Sequence, residues 1–539
     1  MELFRRPDIV GAQRHESGDG KAHEKIQDKD DRDATSFCGT LADFAPIMTA
    51  SRGVSMRPLL VLILYCSAYA VAQNQNSPGI APFVTVSTPV FVMSHVRIID
   101  GTGAAPQEDG AIVIANGKIQ AIGPAATIQV PAGAQQFDRT GYTIIPGLVG
   151  MHDHLYYTDS VSVQRGADGK IGEPGLFIAE IPYTAPRLYL AGGVTTLRTT
   201  GSVEPYTDRK VKQRIDENLM PGPKIDATAP YLEGAPTVFA QMHELTGPDD
   251  AKRLVDYWAA EGMTSYKAYM NITREELAAA IQQAHGHNFK LTGHLCSVTW
   301  HEAIALGIDD LEHGPVFTDT DFVSDKKPDV CPQGPGARDS WEKLDVNGPQ
   351  VQSLIHDLVA HHVAVTSTLP VFEAYIPGRP KLQQRVLDAM SSESAQSYLA
   401  ARARVAMDSP MTALFKKEME FELAFVKAGG LLLAGPDPTG NGGTLPGFGD
   451  QREIELLVEA GFTPVEAIRI GTANGAAYLG KQDRIGTLAA GKDADFVLIK
   501  GDPSKNIDDI EKVETVFKDG VGYDSNKLID NVRGQVGIR

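Results

Sequence analysis

Six side chains with metal-binding or proton-transfer chemistry stand at or near the ends of short apolar runs. His152 and His154 follow TIIPGLVG, Lys267 lies within TSYKAYM, His294 closes KLTGHL, His313 closes DDLEHG, and Asp437 closes GLLLAGPD. Imidazole and carboxylate donors are the set that divalent transition metals take. Residues two apart in an extended chain face the same side, so the rings of His152 and His154 can converge on one ion. An isolated HxH pattern carries little weight. His285 and His287 repeat it in a helix-to-loop stretch and read as surface, and His301, His356, His361 and His362 lie in or beside helical stretches. What distinguishes the six is where they sit along their runs.

Elements must exist that bring those run ends together. Eight apolar runs recur between 147 and 480: TIIPGLVG, GVTTLRTT, PKIDATAP, TSYKAYM, KLTGHL, DDLEHG, VAVTSTL and GLLLAGPD. Amphipathic helical stretches such as DDAKRLVDYWAAEG, TREELAAAIQQAH and DQREIELLVEAG lie between several of them, with Asp249, Thr273 and Asp450 as caps or first-turn residues. This alternation predicts a (β/α)8 barrel with insertions, whose chemistry lies at the C-terminal strand ends; an open doubly wound sheet is the rival. Before it, 82–146 alternates apolar and polar residues, with a hairpin signal at Asn116-Gly117, and similar runs return over 481–539. The two stretches are expected to build one composite β-sandwich domain around the inserted barrel.

With these residues and this organisation the chain resembles the amidohydrolase superfamily, in its imidazolonepropionase-related and prolidase-like branch. The resemblance runs from about residue 85 to the end and includes the closing GTLAAGKDADFVLIKGDP segment. It implies that His152 and His154 hold one metal, that Asp437 approaches it, and that Lys267 is carboxylated by CO2 to a carbamate bridging two metals. His294 and His313 then hold the second ion, and zinc is the expected metal. A carbamate makes charge sense, since a plain ammonium among dications is repelled whereas the carbamate offers one oxygen to each. The alternative is a strand-end lysine beside a single metal.

The implied chemistry is hydrolysis of a C–N bond in a small amide or short peptide, as in an Xaa-Pro dipeptidase or an N-acyl amino acid hydrolase. Water activated by the metals attacks the carbonyl, and Asp437 orients it, accepts its proton and passes it to the leaving amine. Asp437 sits in Gly435-Pro436-Asp437-Pro438, where the family more often places a small or hydroxylated residue beside the aspartate. Tyr231 is a candidate donor to the oxyanion, with core packing as its other reading. Arg198 and His243 are candidate substrate contacts, with a barrel-end ion pair as the other reading of Arg198. Cyclic amides, lactones and esters present the same carbonyl to the same site. A non-catalytic barrel is the alternative of a different class.

Composition narrows the partners. A net charge of −18 over 539 residues argues against a nucleic-acid binder or a binder of anionic membranes. Residues 56–72, MRPLLVLILYCSAYAVA, have the basic start, short apolar run and small residues of an export signal, and the run is shorter than the roughly 20 residues of a bilayer span. The mature protein is therefore expected in the periplasm or outside the cell, without stable membrane insertion; a homo-oligomer is left open. Residues 1–55 read as a disordered extension or a mis-assigned start. They carry 8 basic and 10 acidic residues and the signal adds one arginine, which leaves −17 from Gln73 onward. Of four cysteines only Cys296 and Cys331 remain after the signal, and an oxidising compartment can pair them. That bridge would tie the polar insertion 317–349, expected over the barrel mouth, to the rim near His294.

Overall fold

Each of the eight apolar runs contributes a strand, and every ladder pairing among these strands is parallel. Leu148–Asp153, Val194–Thr199 and Lys224–Asp226 make one sheet. Ser265–Ala268, Lys290–Gly293, Asp310–Glu312, Ala364–Ser367 and Leu432–Ala434 make a second, in chain order. Parallel bridges from Thr228 to Ser265 and from Leu232 to Ala268 join the two. At the far edge the Asp437 N–H donates to the His152 carbonyl at 3.0 Å. Gly435 makes that approach feasible, since a Cβ there would sit 2.2 Å from the His152 nitrogen. This computed structural model describes residues 77–159, 177–179, 181–237, 239, 241–332, 336–439 and 442–537. Residues 75–539 form one compact unit. The expected extension 1–55 and export signal 56–72 lie outside the described residues. No helix among the described residues is long and apolar enough to cross a membrane.

Parallel neighbours need long crossovers, and helices supply them. Arg274–Gly286 shows why these segments are helical. Thr273 and Glu276 close a capping box at its start, and Leu277, Ala280, Ile281 and Ala284 bury one face at helical spacing. Asp249 and Asp450 sit in the first turns of Pro248–Ala260 and Phe448–Ala460, where carboxylates meet the positive end of the helix dipole.

Strands from both ends of the described chain share one nine-stranded sheet. Its order is Val84–Val86, Val521–Asp524, Val513–Lys518, Phe496–Lys500, Tyr142–Pro146, Val90–Ile98, Gln107–Ala115 and Lys118–Pro124, with Gln135–Asp138 also pairing to Val90–Ile98. Asn116 and Gly117, both at positive φ, form the expected tight hairpin. Phe91 and Phe517 belong to strands three places apart, yet their rings lie 5.4 Å from each other. Adjacent strands are about 4.8 Å apart, so the sheet curls over its own apolar core. Lys224, on the third parallel strand, bridges Asp493, Asp495 and Asp519 of this module at 3.0, 2.8 and 2.7 Å, which fills that acidic group with an internal cation.

Cys296 and Cys331 are disulfide-bonded, with Cα atoms 4.9 Å apart. The bridge ties the insertion to the loop after the fifth strand, but the described residues of 317–349 do not line the histidine-bearing cavity. Its apolar wall comes instead from Val371, Phe372 and Tyr375, after the seventh strand. A thiol titration of unreduced, denatured protein lacking residues 1–72 is expected to find no free thiol; two thiols would contradict the bridge.

Candidate metal centre

The C-terminal ends of five parallel strands converge on one cavity of about 280 Å3. His152, His154 and Asp437 each point a ligand atom inward, all within 4.8 Å of one another. Nε2 of His154 and of His152 lie 3.4 and 3.8 Å from Asp437 Oδ1. Lys267 Nζ is 3.1 Å from His152 Nε2. The His313 ring lies 4.5 Å from that of His152, and His294 joins through His313 at 4.3 Å. All six residues singled out from the sequence line this cavity.

The surroundings orient the donors. His152 Nδ1 faces Glu312 at 2.6 Å, and a proton held on that nitrogen leaves the Nε2 lone pair free toward Lys267 and Asp437. Glu312 is in turn fixed by Arg198, which donates to Glu312 at 2.9 Å, to Asp310 at 2.8 Å and to the Met151 carbonyl at 2.8 Å. The Tyr189 hydroxyl accepts from the His154 N–H and donates to the His154 carbonyl. His313 Nδ1 meets the Thr368 hydroxyl at 2.9 Å, while its Nε2 is buried with no hydrogen-bond partner among the described residues. A buried nitrogen with a vacant lone pair, beside two more imidazoles and a carboxylate, fits a divalent transition metal. Two of the donors sit on left-handed backbone, His313 at φ 73° and Asp437 at φ 48°. Asp437 holds that conformation directly before Pro438, where an extended backbone is preferred, so the strand end carries local strain.

Charge follows burial. Burial pushes the His294 imidazole down to about 3 and holds His152 and His313 well below the usual histidine range, so these rings are neutral ligands. Burial also lowers the Lys267 ammonium to about 8, which brings its neutral, nucleophilic amine within reach near neutral pH. Burial opposes ionisation of Asp437, but His152 and His154 beside it hold the carboxyl below the ordinary range. Glu312→Gln is expected to weaken metal binding by about 10- to 100-fold, read by competition with a chelating dye. Unchanged affinity would show that Glu312 does not orient His152.

The three candidate substrate contacts separate. Tyr231 lines the cavity, and its hydroxyl hydrogen-bonds that of Tyr156. Arg198 does not: it lies beneath the histidines at 1% exposure and pairs with Asp310 and Glu312, the arrangement of the ion-pair reading. His243 is 46% exposed, bonds Asp250 at 2.9 Å and lines a neighbouring cavity. Glu312, Asp310 and Tyr156 were not singled out from the sequence. Asp310 and Glu312 alternate in the short strand before His313, and two acids on one face of a buried strand are a signal that a buried cation faces them.

Residues 446–522 match the amidohydrolase family. An imidazolonepropionase of Streptococcus gordonii is 24% identical over 423 residues, covering 74% of this chain and 85% of that protein. A dihydroorotase of Listeria monocytogenes is 29% identical over 170 residues, or 32% of each, so the chain matches about a third of that relative's length. Among solved structures, a Xaa-Pro dipeptidase with methionine bound in its active site has a TM-score of 0.57 at 18% identity. That alignment covers 81% of this chain and 100% of the other.

Proposed function

The chain belongs to the amidohydrolase superfamily, and on that premise we propose that it is a metal-dependent hydrolase of C–N bonds in small amides or short peptides. The observation that carries the reading is the convergence of His152, His154, Lys267, His294, His313 and Asp437 at the ends of parallel strands far apart in sequence. The eight strands are taken as a (β/α)8 ring, supported by the parallel bridges and by the bond from Asp437 to His152. His152, His154 and Asp437 would hold one divalent ion, and His294 and His313 a second. Lys267 Nζ would add to CO2 with loss of one proton to become a carbamate shared by both. When bound, such ions, zinc for preference, supply Lewis acidity that acidifies water and polarises a carbonyl.

This chain's own groups do the rest. Asp437, held below the ordinary carboxylate range, takes the proton of the attacking water at Oδ1 or Oδ2 and returns it to the leaving nitrogen. The Tyr231 hydroxyl, paired with Tyr156, is placed to donate to the oxygen that gains charge as the carbonyl becomes tetrahedral. Val371, Phe372, Tyr375 and Phe239 form an apolar wall that limits water. Export to the periplasm or beyond is part of the proposal, and the Cys296–Cys331 bridge agrees with an oxidising compartment.

The test is turnover by zinc-loaded protein of Xaa-Pro dipeptides, N-acyl amino acids, hydantoins and lactones. Hydrolysis of a linear amide, abolished by chelation and restored by metal, is expected. Turnover confined to lactones or esters would move the assignment to C–O bonds. Binding without turnover of any of them would favour a non-catalytic barrel.

A further inference from the structure

A second cavity of about 310 Å3 adjoins the metal-facing one, and Tyr231 lines both. The ring of Tyr231 cannot swing toward the chain behind it, because Gly201 packs so closely that a Cβ there would sit 2.4 Å from a ring carbon. Its hydroxyl reaches Tyr156 on the inner side, so one fixed aromatic ring serves as the partition. The outer cavity is lined mostly by apolar and aromatic side chains: Val203, Pro205, Met242, Leu254, Tyr257 and Trp258. Trp258 stands 5.0 Å from Tyr206 and 5.1 Å from Tyr257, and the two tyrosines hydrogen-bond through their hydroxyls. Tyr206 and Tyr257 are 51% and 45% exposed, an unusual solvent commitment for large rings packed against a tryptophan beside the catalytic cavity. The charged groups at the edge are balanced locally, for Asp250 pairs with both His243 and Arg253. An ionic ligand would therefore find no uncompensated charge there, whereas a flat or bulky apolar group finds ring faces and edges.

We propose that this outer cavity is a second substrate subsite, taking an aromatic or bulky aliphatic group attached to the scissile amide, with Tyr231 dividing the reacting end from that group. This deepens the hydrolase reading and rests on it. The preferred substrates are then amides carrying such a group one linkage beyond the cleaved bond, and the smallest dipeptides are the poor ones.

The test uses zinc-loaded protein and pairs of amides with the same scissile bond. Each pair carries either a benzyl or a methyl group one linkage away, on the acyl side or on the amine side. For one of the two sides, the benzyl compound is expected to exceed its methyl partner by about tenfold or more in kcat/KM, mostly through KM. Met242→Arg puts a charge into the cavity and Tyr257→Ala removes a ring. Each is expected to bring the benzyl-to-methyl ratio to within about threefold of one. Equal rates for benzyl and methyl compounds on both sides, or variants that leave the ratio intact, would overturn the subsite. Titration calorimetry with the same pairs reads the same ratio as affinity and needs no bond cleavage. A benzyl preference in binding without turnover would therefore overturn the hydrolase reading and leave the subsite standing.

Discussion

Lys267→Ala protein is expected to lose most of its bound metal and to hydrolyse amides slower by about 10^3-fold or more, while keeping its fold. Lys267 sits at the end of Ser265–Ala268, where the ladder to the fifth strand runs through the backbone and survives removal of the side chain. The alanine does remove the nitrogen positioned 3.1 Å from His152 Nε2, and with it the anion that the proposed carbamate would place between two cations. Elemental analysis of wild type and variant, with an intact-mass measurement in non-acidic buffer for the CO2 adduct, reads both halves of the claim. Retention of full metal content and activity would remove the bridging role. Far-ultraviolet circular dichroism guards against a folding defect.

Asp437→Asn is expected to reduce kcat by about 10^3-fold with a much smaller change in KM. The amide is nearly the same shape, so the carbonyl oxygen can still lie near His154, but it cannot accept a proton from water or return one to a leaving amine. A fall in KM-dependent terms alone, with kcat preserved, would make Asp437 a positioning ligand and hand the proton transfer to another group. Metal content must be measured on the same samples, because a neutral oxygen is also the weaker metal donor.

Much of the architecture was legible because buried parallel strands leave a simple trace. They are short, mostly buried and separated by helix-length segments, and each of the eight runs became a strand. Thr273 and the Asn116-Gly117 hairpin were readable for a local reason, since a cap or a tight turn depends on residues a few positions apart. The two HxH patterns show where local reading stops. His152 and His154 end a buried strand, whereas His285 and His287 are 43% and 37% exposed and pair with Asp309 and Asp256. The chemistry of the two pairs is identical, and position within the fold separates them.

Arg198 illustrates the rest. An arginine near a strand end can hold a substrate carboxylate or neutralise buried acids, and the choice depends on whether Asp310 and Glu312, more than a hundred positions away, reach it first. The same holds for the wall of the cavity. The polar insertion 317–349 had the length and composition of a cover, yet Val371, Phe372 and Tyr375 line the cavity with the histidines. Residue types, their periodicity and their place at run ends were enough to single out the six side chains that line the cavity and the runs that become strands, because these depend on neighbours along the chain. Which nitrogen of His152 stays free, which tyrosine divides two cavities and which acid captures the buried arginine depend on contacts between distant segments, and such contacts exist once packing has set their distances.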